Sequence, residues 1–484
     1  MRFSIRLAIL LALAGTPLAA QGARPAADRC ESAPAAWPAA LVWLGRARQA
    51  IGFPAGDSVL NYRATELGWY VIQSDRSYPP FAANGSAVEG WLDPKTAVER
   101  RAQGAASNRG TLLTGRAAVA VRDTVMVPQP QVFAAFKDVR ELNPWAVLAD
   151  WSAAASVRVI GRCWIRDFWR VTLARPGVRG EERLYLDPAS AYPVGASRQE
   201  PHYLWGTVRV DYTYSTWFEP HLPVTAHRQV DGVVEITRAY GAARLMPRDS
   251  APLLSMPNDV PDMRAEVSLF LQPNPPDTVR VGPAAYLLRN RGYTEAVVLA
   301  RDTIWVLDAT QAEARAALDS AWIGRLFPGR HPIAVVVTDL AWPHIGGVRY
   351  WVAQGATIVT HRLSRDFLTR VVERRWTDAP DLLERRRATA RLRLRLIDAP
   401  TDLAGGAVRV VPLEGLGTEG ALAVYVPGEK FLWAGDYLQN ASRPSLYATE
   451  VARTMRARGI APERTAAQHL PLTLWSVIER LAPP

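Results

Sequence analysis

Hydrophobic and polar residues alternate along much of the first half of the chain with the period of β-strands. The clearest run is 208–218, where apolar and aromatic side chains alternate with charged and hydroxyl side chains. Residues 183–186 and 191–194 predict a second pair of strands on either side of a proline-containing turn. An alternation with period two places one strand face on a core and the other in water. We therefore predict a mainly antiparallel β domain over residues 21–245.

The strand pattern over residues 110–245 resembles the half-barrel of bacterial outer-membrane lipoprotein carriers. In that family, a curved antiparallel sheet holds an acyl chain or another hydrophobic ligand. The resemblance rests on the pattern of strands and turns and not on a motif. It implies a lipid-like or other small-molecule ligand for the N-terminal domain.

The pattern changes after a proline-rich stretch at 246–277, whose composition is typical of an interdomain linker. Beyond it, residues 304–308 and 333–337 predict short buried strands, and 363–375 predicts a helix. Strands that alternate with helices indicate a layered α/β architecture. We therefore place a second, α/β domain at 278–484.

The first 20 residues have the pattern of a secretory signal peptide. Two arginines precede the apolar run from Leu7 to Leu13, and the small residues Ala19 and Ala20 provide a cleavage site. That run is too short to span a bilayer, and no later stretch reaches the ~18 apolar residues that a transmembrane helix needs. We expect an exported protein, periplasmic or extracellular, without a transmembrane segment.

The cysteine content leaves two interpretations open. The chain has two cysteines, Cys30 and Cys163. An oxidising compartment would allow them to form a disulfide, whereas the alternative is two unrelated buried thiols.

The charge of the chain does not indicate a nucleic-acid partner. The formal net charge is +11, but arginine supplies nearly all of the positive charge. The most basic stretch, 391–396, alternates arginine with leucine and predicts a strand with one solvated basic face. No run of aromatic residues accompanies it, so we expect no nucleic-acid binding.

One segment of the second half carries a recognisable motif. Residues 333–361 read IAVVVTDLAWPHIGGVRYWVAQGATIVTH, a buried strand followed by a polar loop, His-Ile-Gly-Gly, a helix and a second strand. The segment resembles the metallo-β-lactamase superfamily, in which a strand ends in Thr-His-x-His-x-Asp-His before a Gly-Gly pair. The resemblance continues through 421–436 to Ala467-Gln468-His469. It implies an αββα sandwich over 278–484, with two zinc ions that activate a shared water for hydrolysis.

Most of the ligand positions of that family are replaced. Asp339 stands where the first histidine belongs, Ala341 where the second belongs, and Pro343 where the aspartate belongs. Gly417 stands at the third histidine of the first metal site. That site has therefore lost all three imidazoles, and we predict that the dinuclear centre is absent.

The second metal site is better preserved. His344, Asp436 and His469 all stand at its ligand positions. Two imidazoles and a carboxylate are enough for one divalent ion, for which zinc is the expected choice, and Asp339 is a candidate fourth ligand or general base. The opposite interpretation is that these residues are relics, held by hydrogen bonds, and that no metal binds.

Two further residues stand at predicted strand ends beside the pocket. We expect Asp308 to accept structural hydrogen bonds, and His361 either to line the pocket or to lie on the surface.

Three functions remain open from the sequence. The first is a non-catalytic or weakly active binding protein with a metallo-β-lactamase fold. The second is a mononuclear metal-dependent hydrolase, and the third is an envelope carrier of a lipid or hydrophobic ligand. The sequence has no Gly-x-Ser-x-Gly elbow, Walker loop or dinucleotide fingerprint that would support another chemistry.

Overall fold

The computed structural model describes residues 29–54, 56–69, 84–103, 106–123, 125–128, 139–177, 180–202, 204–218, 222–263, 274–290 and 292–482. The predicted signal peptide, residues 1–20, lies outside these residues. None of the helices within them is long and apolar enough to cross a membrane.

The N-terminal part is mainly antiparallel β, as the alternation predicts. Its described strands form one sheet, the N-terminal sheet, in the spatial order β1-β8-β9-β10-β11-β12-β13-β14-β2-β3-β4-β5-β6-β7. The strands are β1 (Arg29–Ser32), β2 (Ser58–Gly68), β3 (Asn84–Asp93), β4 (Val98–Gln103), β5 (Ala106–Leu113), β6 (Ala118–Arg122), β7 (Val125–Pro128), β8 (Arg158–Ile165), β9 (Phe168–Pro176), β10 (Glu181–Leu186), β11 (Pro193–His202), β12 (Gly206–Phe218), β13 (Leu222–Val230) and β14 (Val233–Pro247).

Two helices cover one face of this sheet. Helix α1 (Ala40–Ala50) and helix α2 (Pro144–Ser152) share one continuous apolar core with the central strands, and tryptophan and tyrosine rings fill much of it. The start of α2 follows from its sequence. The Asn143 side chain accepts a hydrogen bond from the backbone N–H of Trp145 at 3.1 Å, and Pro144 occupies the first turn, where no N–H is needed.

A disulfide joins Cys30 to Cys163, which decides between the two interpretations of the cysteines. The two residues lie opposite each other on paired strands β1 and β8 and are 133 residues apart in sequence. The bond ties the first described strand, at one edge of the N-terminal sheet, to its neighbour β8.

The C-terminal part contains two sheets that pack face to face, here called the C-terminal sandwich. The first sheet has the order β15 to β21 and the second the order β22 to β27. The strands are β15 (Asp277–Gly282), β16 (Ala285–Asn290), β17 (Tyr293–Ala300), β18 (Thr303–Leu307), β19 (Ile333–Val337), β20 (Thr357–His361), β21 (Arg393–Ile397), β22 (Thr401–Leu403), β23 (Val408–Pro412), β24 (Leu422–Val426), β25 (Phe431–Trp433), β26 (Arg464–Ala466) and β27 (Thr473–Leu474).

Helices cover the outer face of each sheet. The helices are α3 (Glu313–Leu326), α4 (Trp342–Ile345), α5 (Val348–Ala353), α6 (Arg365–Glu373), α7 (Leu382–Arg385), α8 (Leu446–Ala457) and α9 (Trp475–Leu481). Side chains from α3 to α7 pack on the first sheet, whereas α8 and α9 pack on the second. A third core fills the space between the sheets. The result is four layers, two of sheet between two of helix.

The turn between β11 and β12 connects the two parts of the molecule. The Arg374 guanidinium donates to the backbone oxygens of Trp205 and Thr207 at 3.0 and 3.3 Å. It also pairs with Asp231 at 2.5 Å. Gly206 has a φ of +73°, and a Cβ there would lie 2.8 Å from the Trp376 ring. This turn therefore requires glycine both for its backbone and for the close approach.

The proline-rich segment predicted as a linker also packs on the N-terminal sheet. Within its described residues, Leu254 and Met263 are buried against β5 and β6. The domain boundaries given above stay predictions.

Candidate functional site

The predicted site residues lie where strands of both sheets of the sandwich end. Asp308 follows β18, Asp339 follows β19, and His361 ends β20. Asp436 and His469 follow β25 and β26 of the second sheet. Ligand sites of layered α/β proteins form at such carboxyl ends, because the loops there converge from several strands.

The Gly-Gly pair brings His344 into this region. A Cβ on Gly346 would lie 1.7 Å from the backbone oxygen of Gln311, and one on Gly347 would lie 3.2 Å from that of Ala309. Since no side chain fits at this approach, the segment after His344 packs directly on the loop after β18. The backbone hydrogen bond from Ala309 to the His344 oxygen, at 2.7 Å, fixes the contact.

Asp308 is completely buried and holds two loops together. One carboxylate oxygen accepts from the backbone N–H and hydroxyl of Thr338 at 2.9 and 2.7 Å. The other accepts from the Trp433 indole N–H at 2.9 Å. Both oxygens are thus used for structure, and Asp308 connects the first sheet to the second.

Asp339 and His344 form the centre of the site. Both are buried, and Asp339 Oδ1 lies 2.6 Å from His344 Nδ1. The same oxygen accepts from the backbone N–H of Ala341 at 2.7 Å. Asp339 therefore points toward His344.

The buried charges of the site shift one another's pKa values. Burial alone would lower the pKa of His344, but Asp339, with smaller contributions from Asp436 and Asp308, raises it to about 9. Burial raises the pKa of Asp308 to about 6, although His344 opposes this. Burial likewise raises the pKa of Asp436. One imidazole is thus surrounded by three carboxyl groups.

His469 lies at the rim of the site. Its Nε2 is 3.5 Å from Asp436 Oδ1, and its Nδ1 is 3.1 Å from the backbone oxygen of Gly292. Its ring packs on Tyr293, with 4.9 Å between the ring centroids. Gln439 donates to Asp436 from the solvent side at 3.3 Å. Asp436 therefore lies between buried His344 and half-exposed His469.

His361 has a local structural role at the end of β20. Its Nδ1 accepts a hydrogen bond from the backbone N–H of Leu363 at 3.2 Å and caps the turn before α6. Burial lowers its pKa, so the ring is neutral at neutral pH and suits this acceptor role.

Gln468 is a site residue that sequence reasoning missed. It is completely buried, and its backbone N–H donates to the Gly435 oxygen at 2.9 Å. Neither its amide oxygen nor its amide nitrogen has a hydrogen-bond partner among the described residues. The same holds for Asp339 Oδ2 and His344 Nε2. Its place beside His469 in the sequence was the one available signal.

Comparisons with known proteins find similarity among solved structures. No protein-family model matches the chain, and no curated protein matches it. A solved structure of the DIM-1 metallo-β-lactamase is similar at 13% identity and a TM-score of 0.34, over 43% of this chain and 96% of that one. A solved structure of TMB-1 is similar at 14% identity and a TM-score of 0.34, over 43% and 95%. The four-layer architecture itself rests on the sheets and cores described above.

The residues present do not fit a dinuclear zinc centre. In the described part of the chain, no three His, Cys, Asp or Glu side chains are arranged to hold a metal ion. At position 417, where the sequence resemblance predicts an imidazole, there is no free space, because a Cβ there would lie 2.5 Å from the Tyr447 ring. The Glu450 carboxylate accepts from the Gly417 N–H at 3.2 and 3.3 Å. Metal binding by His344, Asp436 and His469 stays a prediction.

Proposed function

We propose that this chain is an exported binding protein whose C-terminal sandwich has a metallo-β-lactamase-like fold without the dinuclear zinc chemistry of that family. The observation that carries the proposal is the occupied space at Gly417. A site that had lost one ligand by substitution would keep room for it. Here Tyr447 and Glu450 pack into that room, so the surrounding core has adapted to the loss.

The proposed ligand site is the cluster formed by Asp339, His344 and Gln468. Burying a polar atom without a partner is unfavourable by about 1–3 kcal/mol, and such atoms in native proteins are commonly satisfied by a ligand or water. Four such atoms lie on these three side chains. They provide acceptors and donors for a small polar ligand, with Asp436 and His469 at the rim.

Metal content and hydrolysis together test this proposal. Exported, purified protein would be assayed by elemental mass spectrometry, alongside a His344→Ala/His469→Ala double variant. It would also be tested on ester, lactam, thioester and phosphodiester substrates with added Zn²⁺. We expect no stoichiometric metal in either protein and no turnover that depends on His344. Turnover abolished by His344→Ala would overturn the proposal.

The second candidate is a mononuclear hydrolase, which the short Asp339–His344 and Asp436–His469 separations favour. It predicts about one metal ion per wild-type chain, lost in the double variant, because two imidazoles and a carboxylate suffice for a single ion. The same elemental measurement therefore separates the two functions.

The carrier hypothesis finds less support. The covered face of the N-terminal sheet is filled by α1, α2 and their aromatic residues. Two cavities at this sheet have volumes of 20 and 60 Å³. The first has room for about one water molecule and the second for a few, whereas an acyl chain requires far more space. Lipid extraction and mass spectrometry of the purified protein would reveal an acyl ligand if the sheet opens to bind one.

Export is part of the proposal, and the disulfide supports it. Disulfides form and persist mainly in oxidising compartments outside the cytosol. The pair Cys30–Cys163 and the signal-peptide pattern of residues 1–20 therefore point the same way. Intact mass under non-reducing conditions should show cleavage near Ala20 and no free thiol. A full-length cytosolic chain with two free thiols would contradict export.

A further inference from the structure

A cavity of 60 Å³ lies on the face of the N-terminal sheet that is turned away from α1 and α2. On β12, Tyr212 belongs to the core beneath these helices, so its neighbours Asp211 and Thr213 point to the opposite face. Both neighbours line the cavity, together with Tyr185 from β10 and Gly195 from β11. Because all of its lining residues belong to the N-terminal sheet, the cavity is separate from the cleft of the C-terminal sandwich.

A glycine leaves this space open. Tyr185, Gly195 and Thr213 lie directly opposite one another on the neighbouring strands β10, β11 and β12. A Cβ on Gly195 would lie 2.4 Å from the backbone oxygen of Tyr212, so no larger residue fits there. The buried hydroxyl of Thr213, beside this gap, has no hydrogen-bond partner among the described residues. Buried hydroxyls are normally satisfied, so a molecule in the cavity is expected to bond this one.

The β8–β9 turn covers the cavity in an unfavourable conformation. Arg166 and Asp167 form the turn, and both have positive φ, +49° and +64°. A two-residue turn of this kind favours asparagine and glycine, and arginine is unfavourable there. From this turn the Arg166 guanidinium reaches across β10 to β12 and donates to the Gln229 amide oxygen at 2.6 Å. Backbone strain of this kind is common where it positions a side chain for a function, and here it positions a guanidinium at the cavity.

The charges at the cavity leave one guanidinium without a carboxylate of its own. Arg170 pairs with Asp187 at 2.7 Å, and Arg209 bonds both oxygens of Asp211 at 2.9 and 3.0 Å. Asp211 also attracts Arg166, but the hydrogen bond of Arg166 goes to an uncharged amide. Among the groups that line the cavity or pair with those that do, one positive charge is therefore in excess. An anion with a single charge would balance it.

The size and the walls of the cavity indicate the rest of the ligand. Its volume has room for a few water molecules, which corresponds to about four to six non-hydrogen atoms. Ile165 and Val194 supply apolar walls. Guanidinium groups bind carboxylates through two parallel hydrogen bonds. A carboxylate with a short alkyl group suits both the charge and the walls.

We propose that this cavity binds a short-chain carboxylate of about three or four carbons. The Arg166 guanidinium has five N–H groups, so its bond to Gln229 leaves others for the carboxylate. The Thr213 hydroxyl donates a further hydrogen bond, and the alkyl group lies against Ile165 and Val194. This site is independent of the ligand proposed for the cleft.

Isothermal titration calorimetry tests the proposal on the exported, purified protein. Propionate is the probe, titrated at constant ionic strength, and propionamide is an uncharged molecule of the same size. We expect one propionate per chain with a Kd of about 1 mM or tighter, and at least about tenfold weaker binding of propionamide. No binding of propionate, or equal binding of the two, would overturn the proposal. So would tighter binding of inorganic phosphate, since the apolar walls would then have no role.

A substitution in the turn locates the bound propionate. Arg166→Asn removes the guanidinium and suits the positive φ, so it should weaken binding at least about tenfold and leave the midpoint of thermal unfolding unchanged or higher. Arg158→Gln is the matched control. It removes a positive charge from the other end of β8, where Arg158 pairs with Glu181, and should bind like wild type. An equal loss in the control would mean that net charge attracts the anion, which would overturn the proposal.

Thr213 provides a second, independent variant. Thr213→Val removes the hydroxyl with little change of shape, and binding should weaken about three- to tenfold because one hydrogen bond is lost. Thr213→Ser keeps the hydroxyl and should bind like wild type. Propionate binding that is unchanged in both Arg166→Asn and Thr213→Val would place the ligand elsewhere, and the proposal would be wrong.

Discussion

Two buried polar clusters, one in each part of the molecule, are built in opposite ways. In the N-terminal sheet, Glu66 accepts from Arg238 at 2.6 and 2.9 Å and from Arg101 at 2.7 Å. Arg238 also donates to Tyr240 and to the backbone oxygen of Val139, so that its charge is bonded on several sides. This cluster holds the segment before α2 to the strands.

The cleft of the C-terminal sandwich leaves polar atoms without a partner. Asp339 Oδ2, His344 Nε2 and both amide atoms of Gln468 have none among the described residues. Native proteins tolerate such atoms mainly where function needs them. The comparison teaches that burial alone does not distinguish the two buried carboxylates, whereas their hydrogen bonding does: both oxygens of Glu66 have partners, and one oxygen of Asp339 has none among the described residues.

The largest expected effect is the loss of Arg238. Arg238→Ala leaves Glu66 as a buried charge with one partner fewer, and breaking such a pair costs about 3–5 kcal/mol of unfolding free energy. Urea unfolding would measure it. The matched control is Arg63→Ala, which removes an exposed pair with Glu89 at 3.5 Å and should cost under about 1 kcal/mol. Similar losses in both variants would mean that the Glu66 cluster is not structural.

The two clusters should also differ in the sign of their pH dependence. The pKa of His344 is raised from 6.5 to about 9, so its contribution to stability is complete below pH 6.5 and is lost as the pH rises through 9. Burial acts to raise the pKa of Glu66, but Arg238 and Arg101 together lower it below 4.5, so its contribution is lost as the pH falls.

The measurement is the unfolding free energy of chelator-treated protein between pH 6 and pH 10, for wild type and His344→Gln. Over this pH range the unfolding free energy of wild type should fall by up to about 3 kcal/mol more than that of the variant. This is the free energy that corresponds to a pKa shift of this size in a buried group. Parallel curves would show that His344 is not paired with Asp339 in solution.

Placing histidines at the three predicted first-site positions tests whether the space around Gly417 can accept a metal ligand. A Gly417→His side chain would meet the Tyr447 ring, and overpacking of this kind costs about 1–3 kcal/mol. The Asp339→His/Ala341→His/Gly417→His variant should therefore bind no zinc at the first site. Adding Tyr447→Ala to it should relieve the loss of stability. Stoichiometric zinc in the triple variant, by elemental mass spectrometry, would show that the site is merely unfilled.

The sequence was enough to predict several strands and to predict that the candidate site residues follow strand ends. The alternation at 208–218 predicts a strand that the structure contains as part of β12, and the motif places Asp308, Asp339 and Asp436 at strand ends. It could not predict that Tyr447 fills the space at Gly417, since α8 is distant from that loop in sequence. Such contacts depend on how layers pack, and a pattern of hydrophobic positions within one element carries no information about them.

The sequence could not predict where the Gln468 side chain points, because this also depends on how the layers pack. A substitution of Gln468 gives the prediction with the smallest expected effect. If its unpartnered amide is kept for a ligand, then Gln468→Met should leave the unfolding free energy unchanged or raise it by about 1 kcal/mol, because an apolar group of similar size removes an unsatisfied buried amide. Gln439→Met, at an exposed position beside Asp436, is the control and should have little effect. A loss of more than about 1 kcal/mol in Gln468→Met would mean that the amide is bonded in solution, as in the Glu66 cluster. The cleft would then be a second structural cluster, and the contrast between the two parts of the molecule would disappear.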